Sequence, residues 1–189
     1  VQYDFLKTLS IAILAVSMSV LCHAPSVNAQ NSSYNYIEPG YQITNILGSL
    51  GSFVEIEAGR ETSGGFSYGA TVHFLISDIQ RTSGTMTESM SSLWYIGPRI
   101  QYSSSVNENL SVYGGSTFGI GTTNYEEAQP GLVVSGGFLI GIRPEAGIRL
   151  QVSDRIRVNA GVNMLYGIIS SRSNIAAAPA ARIGLRLGK

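Results

Sequence analysis

The chain has 189 residues, enough for one domain, and twelve acidic residues balance twelve basic ones to a formal net charge of zero. The basic residues are scattered rather than clustered, which excludes the electrostatic footprint of a nucleic-acid binder. Charged residues make up only 13%, against 22 glycines, ten tyrosines and a positive mean hydropathy, and no long apolar run follows residue 30.

The N-terminus reads as an export signal. Lys7 precedes an apolar stretch from Ile11 to Leu21, followed by Pro25 and the small-residue pattern Val27-Asn28-Ala29, so cleavage is expected after Ala29. That stretch is shorter than the roughly 20 residues a spanning helix needs. Cys22 follows Leu21, where a lipidation signal would place a small residue. Removal of residues 1–29 leaves a single domain, 30–189, without cysteine and with His73 as its one histidine, so neither a disulfide nor a thiolate metal site is expected.

From Tyr34 onward apolar residues recur every second position, interrupted by Gly, Ser, Asn and Asp clusters, which predicts strands rather than helices. Eight segments emerge. The first, 33–44, sets Ile37, Pro39, Tyr41 and Ile43 against Tyr36, Glu38, Gly40 and Gln42. The second, 52–59, sets Val54, Ile56 and Ala58 against Phe53, Glu55 and Glu57. The third alternates Phe66, Tyr68, Ala70, Val72, Phe74 and Ile76 with Ser67, Gly69, Thr71, His73 and Leu75. In the fourth, Trp94, Ile96, Pro98, Ile100 and Tyr102 oppose Tyr95, Gly97, Arg99 and Gln101.

The fifth covers 110–120. The sixth runs from Phe138 to Gln151, with Arg143, Glu145 and Arg149 on its polar face. The seventh, 156–166, carries Val162, Met164 and Tyr166 opposite Arg155, Arg157 and Asn159, and the eighth sets Ala181, Ile183, Leu185 and Leu187 against Arg182, Gly184 and Arg186. Connections after even segments are short: 61–64, 104–108 and Ser153-Asp154. Those after odd segments tend to be longer and polar: 78–91, 124–130 and 170–177. Short turns at one end and long loops at the other are what a bacterial outer-membrane barrel shows, with the short turns periplasmic.

The predicted fold is therefore all-β: an eight-stranded, antiparallel, up-and-down transmembrane barrel whose apolar faces meet lipid and whose closure leaves no unpaired edge. Trp94 and Tyr102 lie eight residues apart on one face, about 26 Å along the strand and near 20 Å after tilt, a spacing that suits two aromatic girdles. Tyr166 and Tyr68 are expected to join the outer and periplasmic girdles. Glu38, Glu55, Glu57, Arg99, Arg143, Glu145, Arg149, Arg157, Arg182 and Arg186 fall on polar faces and are expected to pair across a lumen only wide enough for side chains. The structural rival is a soluble barrel or sandwich, with apolar faces inward; six extended apolar faces and the near absence of Lys and Asp from the polar faces oppose it.

Ser33-Tyr34-Asn35-Tyr36-Ile37-Glu38, Trp94-Tyr95-Ile96-Gly97-Pro98-Arg99, Arg143-Pro144-Glu145-Ala146-Gly147 and the closing Ile183-Gly184-Leu185-Arg186-Leu187 give the mature chain its resemblance to the outer-membrane β-barrel domain family, the small barrels of the OmpA and OmpX type. The resemblance implies an integral protein of the Gram-negative outer membrane, in contact with lipid and lipopolysaccharide and inserted by the barrel assembly machinery. The chain departs from the family pattern by ending in Gly188-Lys189 where a terminal aromatic is usual. Family members include envelope stabilisers, adhesins, resistance factors, small pores and lipid-modifying enzymes.

Candidates for chemistry are few. His73 shares its face with Ser67 and Thr71 and lies within reach of Glu55 or Glu57, the ingredients of a nucleophile, base and orienting group, but a lone histidine on a polar barrel face is more often a hydrogen-bonded filler. Gly114-Gly115 and Gly136-Gly137 have no following helix to make a phosphate cradle. Glu126-Glu127 has the character of solvated loop charge rather than a metal site. No catalytic residue, cofactor or metal is expected. The expected role is a non-enzymatic barrel with a filled lumen that anchors surface loops for envelope integrity, protection or adhesion, with loop ligands possible. The alternatives are a narrow, porin-like pore for small solutes or ions and a barrel-type lipid-modifying enzyme.

Overall fold

The computed structural model describes residues 33–46, 48–84, 86–129, 132–169, 172–175 and 179–188, and every regular element among them is a β-strand. The expected export signal, 1–29, lies outside the described residues. The strands are β1 (Ser33–Ile46), β2 (Ser49–Thr62), β3 (Phe66–Leu75), β4 (Ile79–Ser83), β5 (Met86–Ser105), β6 (Leu110–Gln129), β7 (Leu132–Ser153), β8 (Ile156–Met164), β9 (Tyr166–Ile169), β10 (Arg172–Ile175) and β11 (Pro179–Gly188).

Antiparallel pairing runs β1-β2-β3-β5-β6-β7-β8-β11, and β11 pairs back onto β1 from Tyr36↔Gly188 to Thr44↔Ala180, so eight strands close a barrel. Closure gives every wall strand two neighbours, the condition under which a sheet can cross a bilayer. Following the register once around the wall, from Phe138 through Thr122, Trp94, Phe74, Val54, Tyr41, Ile183 and Ala160, returns to β7 at Ile148, ten residues further on. Eight strands with that stagger, at about 3.3 Å rise and 4.8 Å spacing, tilt by about 40° and enclose a backbone cylinder of about 8 Å radius. Such an interior holds side chains and little else.

One end is built of tight turns. Gly65, at φ +81°, donates to Thr62 O at 3.0 Å, and the Asn107 side chain accepts from the backbone N–H of Asn109 and Leu110 at 3.0 and 2.9 Å. The starts of β1 and the end of β11 lie at this end too, as an even strand count requires.

The opposite end differs from expectation. Segment 78–91, expected as a loop, is a hairpin in which β4 pairs β5 from Ile79↔Met90 to Ser83↔Met86. In 124–130, Asn124 to Gln129 complete β6 and pair with its neighbours. In 170–177, residues 172–175 form β10 against β9. Polar Ser, Thr and Glu content reads as loop, yet a strand that rises past the apolar band has water on its surface and no need of apolar alternation. The join after β1 is short as well, with Gly48 at φ +83° between β1 and β2.

Candidate functional site

The site is the lumen. Period-two alternation turns Glu38 inward from β1, Glu55 and Glu57 from β2, Arg99 from β5, Arg143, Glu145 and Arg149 from β7, and Arg182 and Arg186 from β11, and all are buried. Glu38 and Glu57 stand directly opposite each other on β1 and β2. Like charges in that position repel, so cations must reach them from across the barrel.

They do. Glu38 accepts from Arg182 Nη2 at 2.5 Å and Arg186 Nε at 2.6 Å. Glu57 pairs with Arg99 and accepts from the Tyr36 hydroxyl, while Arg186 lies with its Cζ 3.8 Å from the Tyr36 ring centroid. Glu55 pairs with Arg182 and accepts from Arg143 Nη1 at 2.9 Å. Glu145 accepts from Arg99 Nε at 2.8 Å and lies 3.7 Å from Arg143 Nη2. Gln42 bridges Arg143 and Asn163 through its Oε1, 3.0 Å from each.

Toward the turn end a fifth carboxylate, Glu61, takes Arg186, Arg157 and Arg149 at 2.6, 3.0 and 3.1 Å. Sequence reasoning missed Glu61 by ending the second strand at Gly59 and giving 61–64 to a turn. Carrying the Glu55, Glu57 alternation two positions further would have found it. Arg157 is the least enclosed of the arginines and lies over the Tyr34 ring at 4.8 Å.

His73 is fully buried, its Nδ1 3.1 Å from Glu55 Oε2, its Nε2 3.1 Å from Thr71 Oγ1, and its ring stacked on Tyr95 with centroids 4.3 Å apart. Hydroxyl, imidazole and carboxylate stand in catalytic order, and all three are buried. Among the described residues no group of three His, Cys, Asp or Glu is placed to hold a metal ion.

Toward the hairpin end the interior changes character. Ile46, Phe53, Ile79, Met90, Leu93, Tyr95 and Leu139 form a buried apolar cluster, with Leu75 and Leu165 packed against it. The alternation assigned Phe53 and Leu75 to the polar face correctly by direction, but not by chemistry: facing inward at this level means facing an apolar plug. Sequence reasoning did not find that plug, because its members come from strands β1, β2, β4, β5 and β7 and no single strand carries more than three.

On the outside, Trp94, Tyr68 and Tyr166 stand exposed among isoleucines, leucines and phenylalanines from every wall strand. Tyr41, Phe74, Trp94 and Phe138 share one cross-strand row. Tyr102 departs from expectation, being only 6% exposed. It shares a row with Gly114 and Ala146, both also buried although their parity is outward. Gly114, without a side chain, stands directly across from Tyr102, and Tyr102 lines the cavity at the turn end rather than projecting as a girdle residue.

No family model matches the chain, and no curated protein matches it. Solved structures do. Neisserial surface protein A superposes with a TM-score of 0.58 at 14% identity, over 83% of this chain and 97% of that one. The N-terminal barrel of Pseudomonas aeruginosa OprF gives 0.54 at 10%, over 85% and 100%. Yersinia pestis Ail, the attachment invasion locus protein, solved with the heparin analogue sucrose octasulfate, gives 0.50 at 11%, over 84% and 99%. In strand number, closure and extent, the protein has the fold of the small eight-stranded outer-membrane β-barrels.

Proposed function

We propose that the protein is a non-enzymatic, integral barrel of the Gram-negative outer membrane, with a shut lumen, that holds the hairpins β4–β5 and β6–β7 at the cell surface for envelope integrity, protection or adhesion. The observation that carries this reading is the double closure of the lumen, by a buried Arg/Glu network over one part and an apolar plug over the next. Guanidinium groups already engaged by carboxylates have little to offer a passing ion, and an apolar constriction opposes its passage. The exposed apolar belt supports a lipid-facing wall, with lipid and lipopolysaccharide as neighbours and the assembly machinery as the route of insertion. Burial of the Thr71-His73-Glu55 arrangement supports a role without catalysis.

Recording across planar bilayers that contain the refolded chain tests the shut lumen. The expected result is no resolved conductance step. Stepwise currents that change in Arg99→Ala or Arg143→Ala would overturn it in favour of the pore.

A further inference from the structure

The turn end of the barrel holds a cavity of about 640 Å³ that opens outward and is floored by Arg149, Arg157 and Glu61. Its size falls within the range of roughly 300–1,000 Å³ typical of small-molecule sites. Its walls are mixed: Ser33, Thr62, Ser103 and Ser111 bring hydroxyls and Asn107 and Gln151 amides, beside the rings of Tyr34 and Tyr102.

Charge is unevenly met there. Glu61 is the carboxylate for Arg149, Arg157 and Arg186 together. Arg186 has Glu38 besides, at 2.6 Å, and Arg149 has Asn159 and Gln101 as neutral acceptors at 2.9 and 2.6 Å. Among the described residues, Arg157 has Glu61 alone as its ion-pair partner, and its side chain keeps 22% of its surface open. Two guanidinium groups thus divide one negative charge at the floor of an open cavity. Glu108, at the rim, is exposed and solvated.

We propose that this cavity binds a small hydroxylated anion, a sugar acid or sugar phosphate, with Arg157 as the group that receives the carboxylate or phosphate. A guanidinium presents a planar fork that matches either anion through two parallel hydrogen bonds. The hydroxyls and amides around it both donate and accept, which suits the hydroxyls of a sugar, and the tyrosine rings suit the C–H face of a sugar ring. The site lies at the mouth, outside the shut part of the lumen, so it stands whether or not the barrel conducts.

Isothermal titration of the refolded full chain in detergent with glucuronate, glucose 6-phosphate and glucose tests the site. The expected result is saturable binding of at least one of the two anions, with glucose about tenfold weaker or more. The stronger of the two anions identifies the class. Arg157→Gln is expected to lose about tenfold or more and Arg157→Lys, which keeps the charge but not the planar fork, to fall between Arg157→Gln and the parent. Heat-modifiable migration confirms that each variant is folded. Equal binding of glucose, no saturable binding of either anion, or equal loss in both variants would overturn the proposal.

Discussion

Ile79 on β4 seats on Gly51 of β2: a methyl group built at Gly51 would come within 2.9 Å of Ile79 Cδ1. Ser49 Oγ donates to Gln80 O at 2.8 Å beside it, and Ser52 N donates to Ser77 Oγ at 2.9 Å just below. These contacts fold the β4–β5 hairpin over the barrel mouth and make Ile79 part of the apolar plug. Gly51→Val is therefore expected to push the hairpin outward at a cost of about 1–3 kcal/mol. Arg81, already half exposed on β4, becomes the reporter. Trypsin should cut there several-fold faster in the variant, while the folded band in SDS gels is retained. Unchanged cleavage would mean that the hairpin is held elsewhere.

Two ion pairs of the same chemistry are expected to differ widely in worth. Glu38 is fully buried between Arg182 and Arg186, and Glu38→Gln leaves both guanidinium groups short of charge in a buried interior. Breaking a buried pair in this way costs about 3–5 kcal/mol. Arg81 and Glu88 lie 3.9 Å apart with the arginine half in water, and Arg81→Ala is expected to cost at most about 1 kcal/mol. Urea midpoints of both variants, refolded into the same vesicles, make the comparison.

Gly97 on β5 is where a glycine is required by close approach. An added Cβ would fall 1.6 Å from the backbone oxygen of Phe118 on β6, and backbone, unlike a side-chain tip, cannot swing away. Gly97→Ala is expected to lower the folded yield sharply, whereas Gly64→Ala, with Thr62 Oγ1 at 3.9 Å as its nearest neighbour, should refold like the parent. Fractions of heat-modifiable protein after refolding decide it.

These variants also mark how far the sequence could be read. Alternation is a property of single strands, so strand number, inward parity and most of the Arg/Glu network were visible in it. Glu61 lies in the last three residues of β2, past the end expected at position 59, since glycine there reads as a stop. Features that depend on register between strands are not visible in one strand: Tyr102 is buried in a row with Gly114 and Ala146, and Ile79 joins the plug because β4 folds back over β2. Nor are the hairpins legible in polarity, which distinguishes lipid from water but not strand from loop.

A charge on the outer wall separates a lipid-facing barrel from its soluble rival. Phe118 is half exposed on the outer face of β6 and lies level with Pro98, between the exposed Ile96 and Ile100 of the neighbouring strand and well inside the apolar belt. Arginine at the midplane of a bilayer costs about 2–4 kcal/mol, falling toward zero near the interfaces. Phe118→Arg is therefore expected to depress stability in vesicles by that amount, and Val106→Arg, exposed in the turn beyond the apolar band, to leave it unchanged. In a barrel surrounded by water the same Phe118→Arg would place a charge on a solvated surface, with an effect within about 0.5 kcal/mol. Denaturant titrations of the two variants in vesicles distinguish the outcomes, because only lipid makes the depth of a substitution matter.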